Sequence, residues 1–265
     1  MRVKLMGVRG TVPVHGAGCV EFGGATSCVF VDAGDEPIVL DAGTGLLTQP
    51  LRPFFPDGKL TLLLTHSHAD HIIGLPIFPP LFDPSFRCDI YLRTRNSLSA
   101  REQVERLMSP PLWPVTTAAA KAELDFRDVE TSFDIGAVRV DTMESKHPGG
   151  STIYRISRGE KSLVYATDYE PESDAPEDFC EFARGCSLLL IDAQYTDGEY
   201  ATARGFGHST VTRSAAIAKN CGAQRTVFVH HDPRHSDTKL LELEREIQKL
   251  CPTVSFGREG EEIYL

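Results

Sequence analysis

Residues 62–71 read LLLTHSHADH. An apolar run stops abruptly, and three histidines and an aspartate follow within six residues. A short apolar run of this kind predicts a buried strand. Four ionisable groups crowded at its end cannot be ordinary core, because burying them without partners costs several kcal/mol. The chain must therefore bring something to His66, His68, Asp70 and His71 that satisfies them. In an irregular turn, His66 and His68 can grip one ion while Asp70 and His71 point at a second. Imidazole nitrogens and carboxylate oxygens are the donors that suit zinc, manganese or iron.

The rest of the chain supplies further donors at comparable places. Apolar runs bounded by turn residues predict strands over 2–8, 27–33, 37–43, 59–65, 133–145, 151–157, 162–168, 187–192 and 226–232. A short helical turn is expected over 71–78, ended by Pro76 and Pro79. Helices are predicted over 96–108 with Asn96 or Ser97 as cap, 177–186, and 209–222 between a Ser209 cap and a Gly222 stop. A last one spans 236–251, with Leu240, Leu241, Ile247 and Leu250 near one face. His66, Asp168, Asp192 and His231 fall at or just past the C-terminal ends of predicted strands, and His147 follows one. Strand ends on one side of a sheet converge, and open α/β architectures place their sites there. A carboxylate such as Asp168 can then bridge two ions, and such a pair, about 3.5–4 Å apart, clamps a displacement at phosphorus. His15 and His235 lie in loops and read as surface or rim residues.

Composition narrows the field. The chain has 265 residues and a formal net charge of −10. That balance disfavours a broad grip on nucleic acid, which needs a basic surface. A small anionic substrate stays open, because bound metal reverses the charge inside one pocket. The seven cysteines are odd in number and form no CxxC, which points to free thiols in a reducing compartment. No apolar leader and no apolar stretch of membrane-spanning length occurs, so a cytoplasmic location is expected. Strands dominate both halves with helices between them, and no linker divides the chain. One α/β domain over 1–265 is expected, with sheet packed on sheet and helices outside.

THSHADH matches the HxHxDH signature of the metallo-β-lactamase superfamily in full, and the chain resembles that superfamily from GVRGTVP through LDAGTGL to VHHDP. The resemblance implies a four-layer αββα sandwich and a binuclear metal-dependent hydrolase. Carried over by motif, His66, His68 and His147 would hold the first ion. Asp70, His71 and a C-terminal histidine would hold the second, and Asp168 in YATD would bridge both. VFVHHDP offers two histidines; the superfamily's register picks His231 and leaves His230 as a neighbour. Asp41 in VLDAG matches a supporting aspartate that orients the metal site without binding metal. Zinc is the first expectation for both ions, with manganese or iron as alternatives. The superfamily's dimers make a homodimer one assembly the resemblance allows.

GFGHST resembles the HST element of the phosphodiesterase and ribonuclease Z branch, which makes His208 a proton donor near a scissile phosphate. Asp192 in LLLIDAQYT matches the acidic residue that orients it. Asp70, His208 and Asp192 are thus the catalytic candidates. Ribonuclease Z normally inserts a long basic arm between the motifs of His147 and Asp168, and only twenty residues separate them here. A small, even cyclic, phosphodiester is the expected substrate class. Thioester or lactone hydrolysis, a ribonuclease Z-like nuclease and a non-catalytic metal-dependent sensor are the alternatives.

Overall fold

Apolar side chains alternate along most strands so that each strand carries two different buried faces, and this alternation builds the layers. The computed structural model of the protein describes residues 1–34, 36–49 and 54–265. In chain order its strands are β1 (Arg2–Gly7), β2 (Cys28–Asp32), β3 (Pro37–Leu40), β4 (Lys59–Leu63), β5 (Arg87–Tyr91), β6 (Glu123–Arg127) and β7 (Ser132–Ile135). They continue with β8 (Val138–Ser145), β9 (Ser151–Arg158), β10 (Lys161–Ala166), β11 (Leu188–Asp192), β12 (Arg225–Val229), β13 (Val254–Phe256) and β14 (Glu262–Tyr264). The helices are α1 (Ala69–Ile72), α2 (Ala100–Leu107), α3 (Glu177–Phe182), α4 (Asp197–Ala203), α5 (Val211–Cys221) and α6 (Asp237–Gln248).

Two seven-stranded sheets result, ordered β14-β1-β2-β3-β4-β5-β6 and β13-β12-β11-β10-β9-β8-β7. Val29, Val31, Ile38 and Leu40 of the first sheet share one core with Val140, Tyr165, Leu190, Val227 and Val229 of the second. The opposite faces are covered separately. Phe30, Val39 and Leu62 pack with Ile72, Phe78 and Val104, while Leu189, Ile191 and Phe228 pack with Phe179, Ile217, Leu240 and Ile247. Helices therefore lie outside both sheets, and the fold is the four-layer αββα sandwich. Within each sheet four consecutive strands run parallel, β3 to β6 and β10 to β13. Their C-terminal ends carry the site.

Several local expectations are corrected. Residues 133–145 form a hairpin rather than one strand: Ile135 pairs with Val138, and Gly136 takes the left-handed conformation (φ 54°) that the tight turn needs. Helix α2 is capped by Ser99, not Asn96 or Ser97, because Ser99 and Glu102 form a reciprocal capping box. Asn96 and Ser97 instead sit at φ 51° and 61° in the turn before it. Helix α5 is capped by Thr210, whose side chain accepts from the Arg213 amide, while the Ser209 amide is engaged by Asp192. Its stop is Gly222, as expected, at φ 67°. Leu250 lies beyond the end of α6 and is 74% exposed. His235 is buried, with Nε2 at 2.8 Å from Glu199 Oε1, whereas His15 is exposed. Among the described residues no helix is long and apolar enough to cross a membrane.

Candidate metal centre

The site is assembled from strand ends of both sheets. Asp41 follows β3, Thr65 and His66 follow β4, and His68, Asp70 and His71 lie at or within the short α1. From the other sheet, His147 follows β8, Asp168 follows β10, Asp192 ends β11 and His230 follows β12. Three of these residues, Asp41, Asp168 and His230, stand at φ 58°, 53° and 64°. Left-handed backbone at a non-glycine residue costs about 1–3 kcal/mol and persists only where surroundings enforce it. Here it turns each side chain off the strand's regular alternation and into one centre.

Two triads meet at Asp168. His66, His68 and His147 bring one donor atom each within 4.8 Å of one another, and so do Asp70, His71 and His230. Asp168 Oδ1 faces the first triad, 3.9 Å from His66 Nε2 and 3.6 Å from His147 Nε2. Its Oδ2 faces the second, 3.0 Å from His71 Nε2 and 3.2 Å from His230 Nε2. Asp70 Oδ2 lies 3.3 Å from His71 Nε2 and 3.2 Å from His230 Nε2.

Four rings are oriented from behind. His71 Nδ1 lies 2.8 Å from Asp41 Oδ2, His147 Nδ1 3.1 Å from the Gly207 carbonyl, and His230 Nδ1 2.8 Å from Gln194 Oε1. Each partner only accepts, so each ring gives an Nδ1–H to it and turns Nε2 to the centre. His66 Nδ1 sits 3.0 Å from the Thr65 hydroxyl, which donates to Asp41. Asp41 also accepts from the Thr65 amide at 2.8 Å and from the Tyr165 hydroxyl at 3.0 Å, so one carboxylate ties both sheets to the centre.

The charge state matches a cation site. Burial resists ionisation of Asp168 and Asp70, yet the facing His230 and His71 hold both far below the usual carboxylate range. Burial pushes His66, His68 and His147 below the ordinary histidine value, which keeps them neutral and able to ligate. Burial works the same way on His71, but Asp168, Asp70 and Asp41 outweigh it and raise this imidazole. Among the described residues, His66 Nε2 is buried with no hydrogen-bond partner. A cation accepting its lone pair removes that deficit, and five imidazoles with two carboxylates suit zinc, manganese or iron.

His231, the expected C-terminal ligand, points elsewhere. Its Nε2 donates to the Gly257 carbonyl at 2.9 Å, and its ring packs 5.7 Å from Phe22 and 5.5 Å from Phe256. Burial drives its pKa down to about 3. The correction has a backbone cause. Val229 faces the inter-sheet core and Phe228 the helical side, so regular alternation assigns His231 to the inner side. The left-handed turn at His230 reverses that assignment. Gly10 makes room for it, since a Cβ there would lie 2.4 Å from His230 Nδ1. Gln194, Thr65 and Tyr165 were also missed; an uncharged side chain in an apolar strand carries no signal of what it orients.

His208 stands beside the centre, its Nδ1 2.8 Å from Asp192 Oδ2 and 4.0 Å from Asp168 Oδ1. Burial opposes its charge, but Asp192 prevails and the pKa is pushed up to about 9. Asp192 Oδ1 also accepts from the Ser209 and Gln194 amides, which fixes the carboxylate.

The family profile described as the beta-lactamase superfamily domain matches residues 37–231. Ribonuclease Z of Streptomyces avermitilis is 34% identical over 248 residues, covering 79% of this chain and 81% of that one. Among solved structures, the metallo-beta-lactamase fold protein YhfI of Bacillus subtilis superposes with a TM-score of 0.74 at 20% identity, covering 99% of each chain. A diphosphatase from the PhnP family gives 0.72 at 19% identity, covering 100% of this chain and 97% of that one. At such identities the two structures speak for the fold.

Proposed function

The chain belongs to the beta-lactamase superfamily, and from that premise we propose that it is a two-metal phosphodiesterase acting on a small phosphodiester. It is a metal-dependent hydrolase; the reaction class is our reading. The observation that carries it is Asp168 turned with one oxygen to each triad, beside a His208 ring whose Nδ1 lies 2.8 Å from Asp192 Oδ2. His66, His68 and His147 would hold one ion, and Asp70, His71 and His230 the other. When bound, the pair supplies an activated water and neutralises charge on the phosphoryl oxygens.

The chain's own groups do the rest. Asp41, Gln194 and the Gly207 carbonyl keep the Nε2 atoms aimed. With Nδ1–H given to Asp192, the other N–H of His208 is the one left to meet a substrate oxygen. It stabilises charge as the phosphorus centre is attacked and delivers its proton to the leaving alkoxide. Asp192 stabilises the charged ring before that transfer and holds the neutral ring in the same position after it.

The relatives named ribonuclease Z support a second reading, a nuclease acting on RNA. Against it, the segment between His147 and Asp168 is occupied by the β9–β10 hairpin, whose two-residue turn leaves no arm to grip RNA. The net charge of −10 agrees. The deciding experiment is hydrolysis of bis(p-nitrophenyl) phosphate, a cyclic nucleotide, a precursor tRNA, a lactone and a thioester with added Zn²⁺ or Mn²⁺, against an EDTA control. Metal-dependent turnover of the first two is expected. Turnover confined to the lactone or thioester would reject the phosphodiesterase reading, and cleavage of the tRNA alone would replace it with the nuclease.

A further inference from the structure

Glu170 lies two residues beyond Asp168, is only 7% exposed, and takes no part in the chemistry above. Its carboxylate accepts three hydrogen bonds from a single region. Oε1 accepts from the Tyr200 hydroxyl and the Gly205 amide, each at 2.7 Å, and Oε2 accepts from the Gly207 amide at 2.8 Å. Gly205 and Gly207 both stand at positive φ, 89° and 92°, in the segment between α4 and α5. The carboxylate thus supplies acceptors for amides that no sheet or helix satisfies.

That segment serves the centre twice. The Gly207 carbonyl is the acceptor for His147 Nδ1 at 3.1 Å, and the next residue is His208. Contact is so close that a Cβ on residue 207 would sit 2.0 Å from His147 Nδ1. A shift of one peptide would therefore move a ligand of the first triad and the proton donor together. We infer that Glu170 is a positioning residue that sets His147 and His208 at once, by holding the Gly207 peptide between them. The link to His208 rests on the phosphodiesterase reading; the link to His147 needs only the metal site.

The test uses the full chain loaded with cobalt(II), comparing wild type, E170A, E170Q, Y200F and H208A, and the E170A/H208A double variant. The visible cobalt spectrum reads the first triad without substrate, and bis(p-nitrophenyl) phosphate reads turnover. E170A is expected to alter the cobalt bands and lower kcat by about 10–100-fold, with KM changing less. E170Q, which keeps the size but turns an amide NH₂ toward one donor, falls between E170A and wild type. Y200F removes a donor to Oε1 only and keeps turnover within about twofold, because the bond to Gly207 survives. The double variant is expected to be slower than H208A by a smaller factor than separates E170A from wild type, since only the part of the loss that runs through His147 remains. Cobalt bands and kcat unchanged in E170A would overturn the inference, as would effects of E170A and H208A that simply multiply while the bands stay unchanged. Should E170A fail to fold, E170Q and G207A carry the same two readouts, and wild-type bands in both would overturn it. If wild type shows no phosphodiester turnover, the functional reading fails, and the cobalt bands of E170A alone decide for or against Glu170.

Discussion

The two triads are built to different standards of support. Asp70, His71 and His230 are all buried, and each has a partner: the Thr11 amide donates to Asp70 Oδ2 at 2.8 Å, and Asp41 and Gln194 stand behind the two rings. In the other triad His68 is exposed, and among the described residues its Nδ1 is paired with His147 Nε2, at 3.1 Å. The second triad also contains Asp70 and takes the nearer oxygen of Asp168. Charge, burial and orienting bonds all favour the same half, so one ion should be held firmly and the other more loosely and closer to solvent. On the proposed function, the open half is the expected side of substrate entry, and the closed half holds the geometry.

The largest effect should come from removing what the halves share. D168A is expected to lose both ions, with turnover falling to that of EDTA-treated protein; metal analysis after desalting checks this, and two retained ions would break the bridge. H208A should lower turnover by about 10²–10⁴-fold while two ions stay bound. Equal turnover would remove His208 from the mechanism. Q194A should sharpen the comparison, weakening the ion of the buried half by about 10–100-fold and leaving the other nearly unchanged. Competition with a chromogenic chelator reads both constants, and equal weakening would show that the halves are not separately supported.

The adjacent histidines offer a finer contrast. H230A should cost one ion. H231A should keep both and lose only stability, roughly 1–3 kcal/mol from the vacated space between Phe22 and Phe256, read by urea denaturation. The smallest effect lies outside both halves. Glu199 caps α4 and meets His235; burial opposes its charge, but bonds from His235 and Thr196 hold its pKa down to about 2. Its stabilising contribution is present above the ordinary glutamate value and is lost as pH falls toward the depressed one. E199Q should therefore lose less stability than wild type between about pH 5 and about pH 3. Identical acid limbs in the two urea series would remove the pair from the balance.

Much of this arrangement was legible in the chain. Apolar runs ending in His66, Asp168 and Asp192 located three strand ends, and their convergence follows from parallel neighbours. The choice between His230 and His231 was not legible, because it depends on one positive φ that reverses the alternation. Strands β5 and β6 were missed for another reason. RCDIY and ELDFR carry Arg87, Asp89, Glu123, Asp125 and Arg127, which look like loop composition yet form ion pairs both along and across the two strands. Helix α4 was missed as well: Thr196 and Glu199 stand in capping-box spacing, but seven residues hold no apolar period to support it.

Anomalous diffraction from a metal-loaded crystal tests the shared carboxylate most directly. Two peaks are expected about 3.5–4 Å apart, one on each side of Asp168, with His230 and not His231 beside the more buried ion. A single peak, or a peak ligated by His231, would contradict it.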